Sequence, residues 1–176
     1  MNDNPHKILD DLKPIKEFFI GIDSDGCVFD TMEIKQKECF CPAFIKHYGL
    51  QKVAKYARET WEFVNLYSTT RGTNRFQALI RTMDLLGKRK EVLARNAEIP
   101  NLSSVIEWVK KESKLGNPTL VKHAAIANDP MINKTLAWSN EVNKLIEEMV
   151  IDIPPFPFFR ESLMRMVEKA DTIVVS

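Results

Sequence analysis

The chain is poor in cysteine, has no long apolar run and carries no excess charge of either sign. Each shortage excludes something. Three cysteines in 176 residues are odd in number and too few for a disulfide scaffold, and a single residue separates Cys39 from Cys41. That usage suits a reducing cytosol. A metal centre built on Cys39 and Cys41 needs more ligands than His47 adds, so both read as small buried hydrophobes on a helix. No segment is long and apolar enough to span a bilayer. Met1 to Glu17 is polar with charges of both signs, without the apolar core of a signal peptide. The expected location is the cytoplasm. Lys and Arg number 25 against 24 Asp and Glu, a net charge of +1, which leaves no electrostatic footprint for nucleic acid or an anionic membrane. Lys88-Arg89-Lys90 and Lys110-Lys111 read as solvated helix faces.

Strand-like alternation is also scarce. Between Thr31 and Pro154 the apolar residues recur at helical spacing: Val53, Ala57, Trp61 and Val64; Phe76, Leu79, Ile80, Met83 and Leu86; Leu102, Val105, Ile106 and Val109; Trp138, Val142, Leu145 and Met149. Asn117-Pro118 and Asp129-Pro130 each read as an N-cap followed by proline in the first turn. Gly49, Gly72, Gly87 and Gly116 punctuate the helices. The aromatics Trp61, Phe63, Tyr67, Phe76, Trp108 and Trp138 read as core. An all-helical module of roughly 120 residues is expected, inside the usual domain size. Ile151 to Pro157 is too proline-rich for a helix and reads as a stiff extended linker. Phe159, Leu163, Met166, Val167 and Ala170 then mark one amphipathic helix, and Thr172 to Val175 a buried strand.

The most informative stretch is Phe18-Phe19-Ile20-Gly21-Ile22-Asp23-Ser24-Asp25-Gly26-Cys27-Val28-Phe29-Asp30-Thr31. A short apolar strand ends on two carboxylates one residue apart, followed by a glycine turn. Asp and Gly are ordinary turn formers, but an apolar strand running into the turn and a helical pattern leaving it favour chemistry. Two repelling carboxylates there are best explained by a bound cation. A hard divalent ion such as Mg2+ takes one or two carboxylates together with substrate phosphate. At the carboxyl end of a parallel strand this makes a phosphate site with an acidic nucleophile. Cys27 sits in the same loop, either as a small turn residue or as a thiol whose oxidation blocks the site.

Asp23-Ser24-Asp25-Gly26 after an apolar strand, continued by Asp30-Thr31, resembles the first motif of the haloacid dehalogenase-like (HAD) hydrolases with an inserted helical cap. The resemblance implies an α/β fold: a Rossmann-like core, of which only the first two parallel strands are present, with an all-helical cap between them. The implied division is 1–30 for the first part of the core, 31–153 for the cap, and 154–176 for the return linker, helix and second strand. The resemblance also implies that Asp23 is the nucleophile forming an aspartyl-phosphate and Asp25 the general acid and base. Mg2+ would be held by the Asp23 carboxylate and the main-chain carbonyl of Asp25. Ser176, after the second strand, falls at the second motif, whose hydroxyl binds phosphoryl oxygens. Asp25 favours phosphoryl transfer, because members that displace halide have no leaving alkoxide to protonate.

A lysine or arginine and a later acidic pair complete the family's pattern. They are expected beyond Ser176, in the rest of a longer phosphatase or on a partner chain. In the cap, Ser68 to Arg75 is polar and places Arg71 and Arg75 four apart between two amphipathic helices. They read either as substrate contacts through forked guanidinium bonds or as solvated arginines beside an N-cap. The expected activity is Mg2+-dependent hydrolysis of a small phosphorylated metabolite. A sugar-phosphate phosphomutase of the same fold and a non-catalytic binding protein are the alternatives.

Overall fold

The computed structural model describes residues 12–175. The described residues divide into two compact units, one formed by residues 12–31 and 152–175 and the other by 32–151.

In the first unit, strand β1 (Phe18–Asp23) pairs in parallel with β2 (Ala170–Val175). The register sets Phe18 opposite Ala170 and Asp23 opposite Val175. The β-branched run from Thr172 to Val175 explains why β2 is a strand. One strand adds little sheet by itself, and the ladder is prolonged by Ser24, whose N–H donates to the Val175 carbonyl at 2.8 Å. At the other end the Asp171 carboxylate accepts from the Ile15 and Lys16 N–H groups at 2.7 and 3.0 Å. The Lys16 bond, then that from Ile15, holds Asp171 below the usual carboxylate range.

The expected extended linker is interrupted, with a left-handed bend at Asp152, φ +55, before Pro154 and Pro155. Phe156 N–H donates to the Val28 carbonyl at 2.8 Å and Pro155 bridges Phe29. The expectation of a buried final strand fails: Val174 and Val175 are about half exposed, as are Phe18 and Phe19. Two strands have two open edges and uncovered faces.

The second unit is helical. Its labelled helices are α1 (Met32–Ile34), α2 (Cys41–His47), α3 (Ala54–Glu62), α4 (Arg75–Gly87), α5 (Lys90–Leu93), α6 (Ser103–Lys111), α7 (Asn117–Ala127) and α8 (Pro130–Met149). Helix α9 (Phe159–Lys169) belongs to the first unit and buries no residue. Two π-helical turns, Lys35–Phe40 and Phe63–Tyr67, continue α1 and α3.

The apolar stripes converge on one core. Phe44 and Trp61 meet at a tilt with ring centres 4.9 Å apart, Trp138 meets Trp61 edge-on at 5.9 Å, and Phe76 meets Trp108 edge-on at 4.9 Å. Leu79, Leu86, Val105, Leu120, Ile132 and Val142 fill the space between. Burying a leucine or valine side chain of this kind is worth about 1.5–3 kcal/mol. Cys39 and Cys41 are fully buried, as expected. Phe63 and Tyr67 are exposed instead, because the i→i+5 turn shifts the helix phase and brings Val64, Asn65 and Leu66 inward. Met149 is also exposed, at the last residue of α8.

Asp129 caps α8 through its carboxylate, which accepts from Met131 and Ile132 N–H at 2.8 and 2.9 Å. The cap of α7 is Gly116 rather than Asn117, which is the first helical residue. The extended backbone of Gly116 lets its N–H meet Thr119 Oγ1 at 3.3 Å, while the Asn117 side chain reaches across to Asn140 and Ser139.

Candidate functional site

Asp23 is the last residue of β1, and strand alternation leaves it exposed. The chain then closes a tight loop. Val28 and Phe29 N–H both donate to the Ser24 carbonyl, at 3.0 and 3.1 Å, and Gly26 N–H donates to the Phe29 carbonyl at 2.8 Å. Gly26 has φ +75, a left-handed conformation in which a Cβ is strained. That glycine is what lets Asp25 fold back against Phe29, with which it forms a parallel bridge.

Asp25 is half-buried and its Oδ1 accepts from the Thr31 hydroxyl at 2.7 Å. Thr31 is itself buried, so the carboxyl is fixed by a residue six positions along the chain. The sequence alone assigns Thr31 no role. The signal was there, a hydroxyl at the point where the loop returns, but it has meaning only once the Ser24 and Phe29 hydrogen bonds fold the loop. The linker adds a second tether through Val28 and Phe156.

Two aspartates from one loop match the donor type of a hard divalent cation, which takes oxygen ligands and completes its shell with water and substrate phosphate. Among the described residues there is no group of three or more His, Cys, Asp or Glu placed to hold a metal ion. The fit therefore rests on Asp23 and Asp25 alone. Cys27 is exposed at the turn. Ser176 lies outside the described residues.

The two cap arginines part company. Arg71 is exposed in a turn before Gly72, whose φ is +82. Arg75 is the first residue of α4, half-buried, with its Nη1 donating to Asn143 Oδ1 at 2.7 Å and Ser139 Oγ at 3.1 Å. Burial lowers its pKa. Asn74 caps α4 by accepting from Phe76 N–H at 3.0 Å, so the cap fixes where Arg75 starts. Sequence spacing paired Arg75 with Arg71; the fold pairs it with α8, through Asn143 and Ser139. Periodicity alone could not show this, because both partners lie more than sixty residues away.

No protein-family model, no curated protein and no solved structure matches this chain.

Proposed function

We propose that the protein is a Mg2+-dependent phosphomonoester hydrolase of the HAD type, acting on a small phosphorylated metabolite through an aspartyl-phosphate. The observation that carries this reading is Asp25 held by the Thr31 hydroxyl, two residues beyond an exposed Asp23 at the end of a parallel strand.

In this reading an Asp23 carboxylate oxygen attacks phosphorus as the P–O bond to the leaving group breaks. The departing alkoxide takes its proton from the Asp25 carboxyl. Asp25, now ionised, removes a proton from the water that attacks the aspartyl-phosphate. Asp23 and inorganic phosphate are regenerated. One group serving first as acid and then as base must keep its orientation through both steps, and the Thr31 hydrogen bond supports that. Mg2+, held by the Asp23 and Asp25 region, would offset charge on the phosphoryl oxygens. Asp23, being exposed, is open to a substrate without rearrangement of the strand.

The test is steady-state hydrolysis by the natural full-length protein and its variants. Asp23→Asn is expected to abolish turnover, because an amide is no nucleophile. Asp25→Asn is expected to cost roughly 100- to 10,000-fold on an alkyl phosphate and much less on p-nitrophenyl phosphate, whose phenolate needs little protonation. Equal losses on both substrates would reduce Asp25 to a loop-shaping residue. Turnover unaffected by Asp23→Asn would remove Asp23 from the role of nucleophile, and no turnover by the unaltered protein would leave the non-catalytic reading in its place.

A further inference from the structure

The helical unit contains a half-buried cation without an anion among the described residues. Arg75 lies with its guanidinium 5.0 Å from the centre of the Phe40 ring. Its Nη1 spends its protons on neutral acceptors, Asn143 Oδ1, Ser139 Oγ and, at 3.4 Å, the Ser139 carbonyl. Among the described residues Arg75 makes no ion pair, and its Nε and Nη2 make no hydrogen bond. Arg89, also partly buried, is bonded by contrast to Glu59 at 2.7 Å and Glu91 at 3.5 Å. Taking a charge out of water without a counter-charge is unfavourable, so a half-buried arginine that lacks one is poised for a ligand that brings it.

The surroundings agree. Arg75 lines a cavity of about 380 Å3 together with Asn74, Gly116, Asn117, Pro118 and Asn143, and among the described residues no acidic side chain contributes to its wall. The Asn143 side-chain amide already accepts from Arg75 through Oδ1, and its N–H2 makes no hydrogen bond among the described residues. Two helices, α4 of 13 residues and α7 of 11, begin on this cavity; their N-terminal dipole ends add to the field of Arg75. The volume falls in the range of small-molecule sites and exceeds what a bare ion fills.

We infer that this cavity binds an oxyanion, a phosphate or carboxylate group carried by a small polar molecule. The free edge of the Arg75 guanidinium would serve as its fork and the Asn143 amide as a second donor. Arg71 takes no part. The inference does not depend on the phosphatase reading, since every residue it uses belongs to the helical unit. An arginine that merely clamps α4 to α8 would need no anion, and the two cases separate in solution.

The experiment titrates inorganic phosphate and, separately, malonate into the full chain in metal-free buffer, with chloride holding ionic strength constant. Thermal melting and calorimetry are the readouts. Saturable binding of either anion beyond the chloride control is expected, and which one binds identifies the group. Asn143→Asp keeps the oxygen that accepts from Arg75 and installs a carboxylate beside it. This variant is expected to melt higher without anion and to bind at least tenfold more weakly. Arg75→Gln is expected to weaken binding to a similar degree, because a charge-assisted bond is lost. Asp23→Asn is expected to bind as the unaltered chain does, whatever it does to catalysis. Absence of saturable binding, unchanged affinity in a well-folded Asn143→Asp, or loss of binding in Asp23→Asn would each overturn the inference.

Discussion

Burial divides the three cysteines by reactivity. Desolvation raises the Cys39 thiol and pushes Cys41 up to about 12, so neither offers thiolate at neutral pH, whereas Cys27 is exposed on the Asp25 loop. A thiol reagent at pH 8 is expected to label one cysteine in the native chain and three after denaturation. Peptide mapping should find that first label on Cys27, and rapid labelling of Cys41 would contradict its burial. Thr82 offers a second test at this scale. Its hydroxyl is fully buried and has no hydrogen-bond partner among the described residues. An unsatisfied buried donor costs about 1–3 kcal/mol, and an apolar replacement of the same shape relieves that cost. Thr82→Val is therefore expected to raise the melting temperature, by about 2–4 °C for each kcal/mol recovered in a chain of this size. A lower melting temperature would mean that the hydroxyl is satisfied, for example by ordered water.

Helix ends and cross-helix ion pairs govern behaviour at the scale of elements. Asp129 terminates α8 with two backbone bonds and also accepts from Ser104 at 3.0 Å, so Asp129→Ala is expected to lower the melting temperature by a few degrees. Helix α2 is tied to α8 by Glu141, which bonds Lys46 at 2.8 Å and His47 at 2.5 Å. The Lys46 hydrogen bond, then the one from His47, depresses the Glu141 pKa below its ordinary value of 4.5. A depressed carboxylate contributes stability above its unfolded pKa and loses it as pH falls through the folded one. The contribution is thus intact at neutral pH and fades below about pH 4.5, and Glu141→Gln should flatten that acid limb of a pH–stability curve. The exposure of Lys46 keeps the effect modest and salt-sensitive.

Most of these elements were readable from spacing. The Trp138 and Val142 stripe, the Leu79 and Leu86 stripe and the Asp129 cap obey local rules that need no knowledge of the fold. Phe63 and Tyr67 escaped those rules, because a π-turn changes the repeat that the spacing argument assumes. The site was legible to the same extent. Asp23 and Asp25 follow from the strand and its turn, whereas Thr31 against Asp25 and Arg75 against Asn143 depend on chain returns that no local pattern encodes.

For the molecule as a whole, the two units differ in self-sufficiency. The helical unit closes a core of stacked aromatics and aliphatics around Trp61 and Trp138. A fragment of residues 32–151 is expected to fold alone, with a helical circular dichroism spectrum and one cooperative melt. Leu79→Ala in that fragment should cost about 2–5 kcal/mol. A non-cooperative melt of the unsubstituted fragment would show that its core needs the strands. The sheet is the opposite case, with Phe18, Phe19, Val174 and Val175 about half exposed on two strands. Its pairing also spans most of the chain: Ile15 N–H and the Asp171 carboxylate that receives it are 156 residues apart. At typical ribosome speeds, β1 is translated roughly 8–30 s before its partner. Through that interval the helices assemble from near neighbours while an apolar strand waits with both edges bare, a nascent-chain vulnerability that makes chaperone capture of β1, rather than helix formation, the step on which yield turns.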